Sequence, residues 1–169
     1  MKVAGVELTQ TFEHDNNLPE VLTAFVPAAG LVCTAGDLAS FYELLARGGV
    51  TRSGQRLVSA ETLLRYTSGG PASYDQSNRI PLRIGRGFLL GSRTPSIYGW
   101  WNTQHCFGHA GAFCTLAWAD RELEFSAAIV TNGNRGPFES LFRFAPLGSA
   151  IRRAVLSPSP RGGEGRGEG

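Results

Sequence analysis

The chain has 169 residues, which is about the length of one domain. Hydrophobic residues make up 42% and charged residues 18%, a composition typical of a chain that folds around a core. The net charge of only +2 is too small for the broad basic surface that nucleic acid selects. We therefore expect a folded protein with no nucleic-acid partner.

Membrane insertion and metal binding are also disfavoured by the sequence. No apolar run approaches the roughly 18 residues of a membrane span, and no signal peptide is visible, so the compartment is unknown and the cytoplasm is assigned only by default. The three cysteines are expected to be reduced. His105, Cys106 and His109 are close in sequence but match no zinc spacing, so we predict no metal site and no cofactor.

The first half of the chain predicts two helices. Residues 1–27 are mixed and polar, and we interpret them as loop with at most one short element. Thr34 is the candidate N-cap of the first helix, and Gly48-Gly49 ends it. Ser59 is the candidate N-cap of the second. The apolar residues expected to pack are Leu38, Phe41, Tyr42 and Leu45 in the first helix, and Leu63, Leu64 and Tyr66 in the second.

The second half predicts a sheet followed by a helix. A polar loop is expected over 71–84, a short strand over 85–91 and a further loop over 92–104. Residues 112–119 and 123–131 then predict an antiparallel hairpin whose exposed turn is 120–122. A helix follows over 138–156, with Leu147, Ile151 and Val155 spaced by four and with Pro146 expected to kink or split it. The order of elements predicts an α+β fold, an antiparallel sheet flanked by helices.

Composition divides the chain into two regions. Residues 1–156 are expected to form one domain. Residues 157–169 are rich in Ser, Pro, Gly, Arg and Glu, and we expect them to be a disordered low-complexity tail. Arg161 and Arg166 are balanced there by Glu164 and Glu168, which argues against RNA binding.

Two groups of residues are candidates for a binding or catalytic site. Tyr98, Trp100 and Trp101 lie in a predicted loop and are candidates for lining a binding cleft, with packing beneath that loop as the alternative. His109 lies in residues 107–111 (Phe-Gly-His-Ala-Gly), where the flanking glycines permit close approach of a ligand or another backbone. A turn histidine without a catalytic role is the alternative.

An ordered set of short motifs resembles a known family. The motifs are residues 30–41 (Gly-Leu-Val-Cys-Thr-Ala-Gly-Asp-Leu-Ala-Ser-Phe), Leu44-Leu45, Gly48-Gly49, 57–62 (Leu-Val-Ser-Ala-Glu-Thr), 107–111, 116–120 (Leu-Ala-Trp-Ala-Asp) and 129–132 (Ile-Val-Thr-Asn). Together they resemble the serine β-lactamase-related hydrolases, which include class C β-lactamases, D-alanyl-D-alanine carboxypeptidases and related esterases. The resemblance runs in family order from about residue 25 to residue 155.

The resemblance implies roles for the residues of the family's third motif, which lies on an edge strand in the family. His109 takes the first position and supports the electrostatics of the site, Ala110 the middle one and Gly111 the third. The backbone N–H of Ala112 then contributes to the oxyanion hole. Ala110 departs from the family because it lacks the hydroxyl that Ser or Thr offers to a substrate carboxylate, which favours an ester substrate over a β-lactam.

The family's other two motifs are absent from this sequence. An S-x-x-K motif is impossible because Lys2 is the only lysine, and neither Y-x-N nor S-D-N occurs. The resemblance therefore implies the C-terminal part of a hydrolase with a partial β-lactamase/transpeptidase-like fold. We expect the chain to be inactive alone and to have, as possible partners, a missing N-terminal half and a small-molecule acyl substrate. The alternatives are a split hydrolase completed by another chain, and a non-catalytic ligand-binding module.

Overall fold

A computed structural model describes residues 2–3, 6–7, 18–27, 30–76, 79–111, 115–131 and 136–157. The chain divides into two compact units, Met1–Thr34 and Ala35–Gly169. In the first unit, strand β1 (Lys2–Val3) pairs antiparallel with β2 (Val6–Glu7), and the one-turn helix α1 spans Pro19–Leu22. The predicted tail lies, apart from Ser157, outside the described residues.

The second unit begins with the two helices that local sequence signals predict. Helix α2 spans Ala35–Ala46, directly after Thr34, and helix α3 spans Ala60–Thr67. The Ser59 hydroxyl accepts a hydrogen bond of 3.0 Å from the backbone N–H of Thr62, which confirms the predicted N-cap.

The buried faces of these helices differ in part from the predicted ones. Tyr42 and Leu45 of α2 and Leu63 of α3 are buried as expected, but the fourth buried residue is Thr67. Thr67 follows Leu63 by one turn, so the two lie on the same helix face. Of the remaining predicted apolar residues, Leu38 is partly buried, and Phe41, Leu64 and Tyr66 are exposed.

A glycine pair ends α2 for a steric reason. Gly48 and Gly49 have φ angles of 70° and 83°, a conformation that favours glycine. A Cβ atom on Gly49 would lie 2.3 Å from the carbonyl oxygen of Val58, whereas a Cβ on Gly48 would meet no atom within 4 Å. The chain therefore reverses direction at Gly49 through a contact that only a residue without a side chain permits.

Six antiparallel strands form the sheet, and their spatial order is their order in the chain. Residues directly opposite one another include His109 and Ala117, and then Ala117 and Ala128. The strands are β3 (Ser73–Asp75), β4 (Ile80–Ile84), β5 (Leu89–Leu90), β6 (Cys106–Gly111), β7 (Thr115–Asp120) and β8 (Phe125–Val130).

The observed sheet contains the predicted hairpin but differs from the prediction in the regions around it. Strands β7 and β8 are antiparallel neighbours, as predicted, although residues 112–114 of the first predicted strand lie outside the described residues. The turn lies at residues 121–124, and Asp120 is fully buried rather than exposed. The loop predicted over 71–84 is wrong, because β3 and β4 pair there. The antiparallel pairing of β3 with β4 gives this segment a regular structure that its polar composition did not indicate. The strand predicted over 85–91 is only Leu89–Leu90.

Helices cover both faces of the sheet. On one face, α2 and α3 pack through Tyr42 and Leu63 against Phe107 and Ala119. On the other face, the hydrophobic cluster contains Tyr98, Cys106, Leu116, Trp118 and Phe144. The predicted α+β fold with an antiparallel sheet flanked by helices is therefore confirmed.

Helix α4 (Gly136–Leu156) supplies the cover on the second face. It runs as one helix through Pro146, so of the two predicted effects of this proline, kinking or splitting, splitting does not occur. Of the three predicted apolar residues, Ile151 packs against this face, whereas Leu147 and Val155 are exposed. The helix also packs through Phe144 and Gly148. Among the described residues, none of the helices combines the length and apolar composition needed to cross a bilayer.

Candidate functional site

The His-Ala-Gly segment lies at the far end of β6. Strand β5 pairs only with Phe107 and Gly108, whereas β7 pairs with β6 as far as Gly111. Within the described part of the chain, residues 109–111 therefore have a neighbouring strand on the β7 side only. Strand β6 is thus interior to the sheet, but its last three residues form a local edge.

His109 is exposed at this local edge. Its Nδ1 atom lies 2.8 Å from the carbonyl oxygen of Ala110. Its position opposite Ala117 places it on the face that α2 covers, because directly opposite residues of a ladder share a face. The imidazole therefore lies on the sheet face that bears Phe107 and Tyr42.

Tyr42 of α2 lies behind this segment. Its hydroxyl forms a hydrogen bond with the backbone of His109. Burial raises the pKa of Tyr42 to about 12, and the hydrogen bond from His109 acts in the opposite direction with a smaller effect. The hydroxyl is consequently neutral at ordinary pH and is available as a fixed polar contact for β6.

The glycines of the segment differ in what packing requires of them. A Cβ atom on Gly108 would lie 2.1 Å from the carbonyl oxygen of Ala117, so strand pairing itself requires glycine there. A Cβ on Gly111 would meet only Thr115, at an ordinary 3.4 Å. Contacts among the described residues therefore explain why Gly108 must be a glycine, but they do not require a glycine at Gly111.

The other residues of the predicted third motif are distributed differently. Ala110 lies on the opposite face of the sheet from His109, partly buried against the cluster that contains Tyr98. Ala112, the predicted oxyanion-hole donor, lies outside the described residues. The structure thus brings His109 and Gly111 together on one strand face and turns the Ala110 side chain away.

The aromatic loop packs on the α4 side. Tyr98 is 2% exposed, its hydroxyl donates a 2.9 Å hydrogen bond to the Leu89 carbonyl, and burial raises its pKa. The backbone N–H of Trp100 donates to the Ser149 hydroxyl of α4 at 2.9 Å, while Trp101 is exposed. Tyr98 thus has the packing environment that the sequence analysis kept as the alternative. The sheet separates Tyr98 and Trp100 from His109.

A buried ion pair near the start of β6 was missed by sequence reasoning. Asp120 is fully buried, forms a salt bridge with Arg152 of α4, and accepts backbone hydrogen bonds from Glu122 and Leu123 at 2.9 and 3.1 Å. The Cys106 thiol donates to it at 3.4 Å, and burial raises the pKa of this thiol. A period-two pattern was the available signal, because Asp120 follows Leu116 and Trp118 on the same buried face.

Arg121 joins α3 to the strand that carries His109. Its guanidinium lies 5.2 Å from the centre of the Phe107 ring and donates a 3.0 Å hydrogen bond to the Thr67 hydroxyl. Burial lowers the pKa of Arg121. Across the described ranges, no group of three or more His, Cys, Asp or Glu side chains is arranged to hold a metal ion.

The sequence matches a family model, and the fold matches solved structures. The family model described as Beta-lactamase matches residues 3–147. A penicillin-binding protein homologue from Caulobacter crescentus is 25% identical, with a TM-score of 0.57 over 73% of this chain and 32% of that one. No curated protein matched the sequence.

Two further solved structures share the fold. A β-lactamase from Mycobacterium bovis is 23% identical, with a TM-score of 0.58 over 73% of this chain and 45% of that one. A family VIII carboxylesterase is 22% identical, with a TM-score of 0.50 over 66% of this chain and 30% of that one.

The matches differ in how much of each protein they cover. The chain spans less than half the length of each of these three structures. The family match, by contrast, covers most of the chain and includes β6 with its His-Ala-Gly segment. The chain therefore belongs to the β-lactamase family of serine hydrolases and penicillin-binding proteins.

Proposed function

We propose that this chain supplies the third-motif strand of an acyl-serine hydrolase acting on an ester, amide or β-lactam. The observation that carries the proposal is the local edge at residues 109–111, which follows the point where β5 stops pairing with β6. His109 supports the electrostatics of the site, and the backbone around Gly111 and Ala112 stabilises the oxyanion of the acylation intermediate.

The proposal assigns the nucleophile to residues other than these 169. Covalent catalysis needs a serine activated by a neighbouring base, and in this family the base network includes the lysine of S-x-x-K. With Lys2 as the only lysine, no such pair exists in the sequence. The chain alone is therefore proposed to be inactive, and a complete site requires a serine and a lysine from elsewhere.

An ester is the favoured substrate within this proposal. Ala110 provides no hydroxyl for a substrate carboxylate, and its side chain is turned away from the His109 face. Trp101, with 68% of its surface exposed, is the aromatic residue of the loop that remains accessible to a ligand.

Activity of the purified chain tests the first part of the proposal. The 169-residue protein is expected to hydrolyse neither a chromogenic β-lactam nor a short acyl ester above the rate of a heat-treated control. Fluorophosphonate labelling that maps to one serine of this chain would contradict this expectation. Turnover that appears only when a second polypeptide with S-x-x-K is added would instead identify a split hydrolase.

A chimera tests the assignment of His109. Residues 35–156 replace the matching segment of the Mycobacterium bovis β-lactamase, so that the host supplies its own N-terminal part. His109→Ala is expected to lower kcat/KM for an acyl ester by about tenfold or more, because a preorganised polar group is lost at the oxyanion. His105→Ala, at a half-exposed histidine four residues earlier, is the matched control and is expected to leave kcat/KM unchanged.

A further inference from the structure

The carbonyl group of Ala110 faces the open side of the local edge. The backbone N–H of Gly91, directly after β5, donates a 2.9 Å hydrogen bond to the carbonyl oxygen of Cys106, so the backbone groups of Cys106 point towards β5. In an antiparallel strand the N–H and C=O of one residue point to the same side, and every second residue repeats that direction. The backbone groups of Gly108 and Ala110 therefore point the same way, but β5 pairs only as far as Gly108.

The imidazole of His109 bonds to this carbonyl group. Its Nδ1 atom lies 2.8 Å from the Ala110 oxygen, which is a hydrogen-bond distance. A carbonyl oxygen only accepts hydrogen bonds, so Nδ1 must carry the hydrogen, because an unprotonated Nδ1 would bring two lone pairs together. A neutral imidazole has a single N–H, and the Nε2 atom of His109 is then a hydrogen-bond acceptor.

His105 provides a contrast within the same chain. Its Nε2 atom lies 3.8 Å from a carboxylate oxygen of Glu122, and the negative charge favours a proton on that nitrogen. His109 forms no such ion pair with any residue that the structure describes, and its side chain is exposed. The neutral forms of the two histidines therefore differ at Nε2, which is a donor in His105 and an acceptor in His109.

An acceptor at this position restricts which substrate group can lie beside it. While the ring is neutral, an ionised carboxylate would bring its own lone pairs against that of Nε2, whereas a hydroxyl or an amide N–H can donate to it. The oxyanion of an acylation intermediate needs donors, which the backbone N–H groups of the edge supply. The Nε2 atom of His109 therefore suits a donor group of the substrate next to the reacting carbonyl.

We propose that His109 is a specificity-determining residue, held as the Nδ1–H tautomer by the Ala110 carbonyl group. Its Nε2 atom selects uncharged esters whose own hydroxyl or amide N–H donates to it, and it disfavours esters that carry a carboxylate at that position. The substrate preference rests on the proposed function, whereas the tautomer depends only on the geometry of β6.

Nitrogen-15 NMR of the whole 169-residue chain measures the tautomer. Labelled histidine is observed under magic-angle spinning, which does not require a monomeric sample, at pH 8.5, where a histidine with the ordinary pKa of about 6.5 is neutral. We expect a protonated Nδ1 and an unprotonated Nε2 at His109, and the reverse at His105. The variants His109→Ala and His105→Ala assign the two sets of signals.

Hydrolysis by the chimera described above tests the substrate preference. Three esters are compared that differ only in one substituent of the acyl group, which is a hydroxyl, a methoxy group or a carboxylate. The hydroxy ester is expected to have a kcat/KM about fivefold above that of the methoxy ester, the effect of one neutral hydrogen bond, and the carboxylate ester is expected to have the lowest. His109→Ala is expected to bring the hydroxy-to-methoxy ratio to about one, and His105→Ala, the matched control, is expected to preserve it.

Each measurement can overturn its part of the proposal. A neutral His109 with its proton on Nε2 would exclude the tautomer. A hydroxy-to-methoxy ratio that His109→Ala leaves unchanged would exclude Nε2 as the group that selects the substrate, and fastest hydrolysis of the carboxylate ester would show a cation there instead. A chimera that hydrolyses none of the esters would contradict the proposed function and the substrate preference with it, while the NMR result decides the tautomer independently.

Discussion

Asp120 shows how a single buried charge is held in this fold. Its carboxylate accepts two backbone hydrogen bonds from the β7–β8 turn and one from the Cys106 thiol, and it pairs with Arg152. A buried ion pair contributes little net stability compared with apolar packing, but removing one partner leaves an uncompensated charge in the core. The pair therefore holds α4 against the β7–β8 turn. Replacing only one of its two residues is expected to destabilise the protein.

Replacing Arg152 with methionine is expected to destabilise the protein by about 3–5 kcal/mol, because Asp120 would stay buried without its cation. Urea denaturation followed by circular dichroism measures the change. Arg153→Met, at the exposed neighbour, is the control and is expected to change the free energy of unfolding by less than about 0.5 kcal/mol. Equal effects of the two substitutions would contradict the role of the pair.

Tyr42 is expected to make stability fall at high pH. Its folded pKa of about 12 exceeds the usual value of 10.0, so between these two values the unfolded chain loses the phenolic proton first. The folded state then binds more protons, and the free energy of unfolding decreases as pH rises, by up to about 3 kcal/mol for a shift of this size. Burial of Tyr98 acts in the same direction.

Urea denaturation at pH 9, 10 and 11 measures this dependence. Tyr42→Phe is expected to reduce the slope of stability against pH, and Tyr98 and Cys106, whose pKa values burial also raises, contribute to the slope that remains. Tyr66→Phe, at an exposed tyrosine, serves as the control and is expected to leave the slope unchanged. A slope that is the same in all three proteins would rule out a buried neutral phenol at position 42.

At the scale of elements, the turn after α2 depends on one of its two glycines more than on the other. Gly48→Ala is expected to cost about 1–2 kcal/mol, because its left-handed backbone disfavours a Cβ atom. Gly49→Ala adds a clash at 2.3 Å with the Val58 carbonyl and is expected to cost clearly more. Thermal unfolding of the two variants compares their losses of stability directly. Equal losses would show that the backbone near Val58 shifts and relieves the clash.

Short sequence motifs predicted those helix ends that depend on only a few neighbouring residues. Ser59 marks the start of α3, and the glycines after α2 mark its end. Strands β3 and β4 carried no such signal, because β3 has exposed serine and tyrosine and β4 contains Pro81. Their order comes from the hairpin pairs of Tyr74 with Pro81 and of Arg83 with Leu90, which are contacts between neighbouring strands that the composition of either strand alone does not show.

The candidate site could likewise be predicted only where its residues are close together in the sequence. His109 and Gly111 were found because the motif is contiguous on β6. The separation of Tyr98 from His109 by the sheet was not predictable from spacing, since it depends on which face each loop residue joins. The Asp120–Arg152 pair was missed because its members are 32 residues apart and belong to different elements.

At the scale of the whole molecule, strands β3 and β8 are the two ends of the six-stranded sheet. Strand β8 pairs with β7 on one side and is last in the order of the described sheet. Its residues Phe125–Val130 include no charge and no proline, the features that usually protect an edge from pairing with another chain. Large apolar side chains exposed in the same unit include Phe41, Leu64, Ile84 and Val130.

The isolated chain is therefore expected to self-associate and to bind a hydrophobic dye. Val130→Lys places a charge on the exposed end of β8 and is expected to lower the sedimentation-average mass, because a lysine opposes edge-to-edge pairing. Val155→Lys, on an exposed position of α4, is the control for added charge. A wild-type chain that sediments as a monomer would show that the edge is not used for association.

The contacts of Asp120 also set an order of events during folding. Its bonds to Glu122 and Leu123 close loops of two and three residues, whereas its bond to Arg152 closes one of 32. Short loops lose less conformational entropy on closure, so we expect the β7–β8 turn to form early and α4 to dock on it late. An Arg152→Met variant consequently unfolds faster while its folding rate changes little, which makes the helix a determinant of the lifetime of the native state.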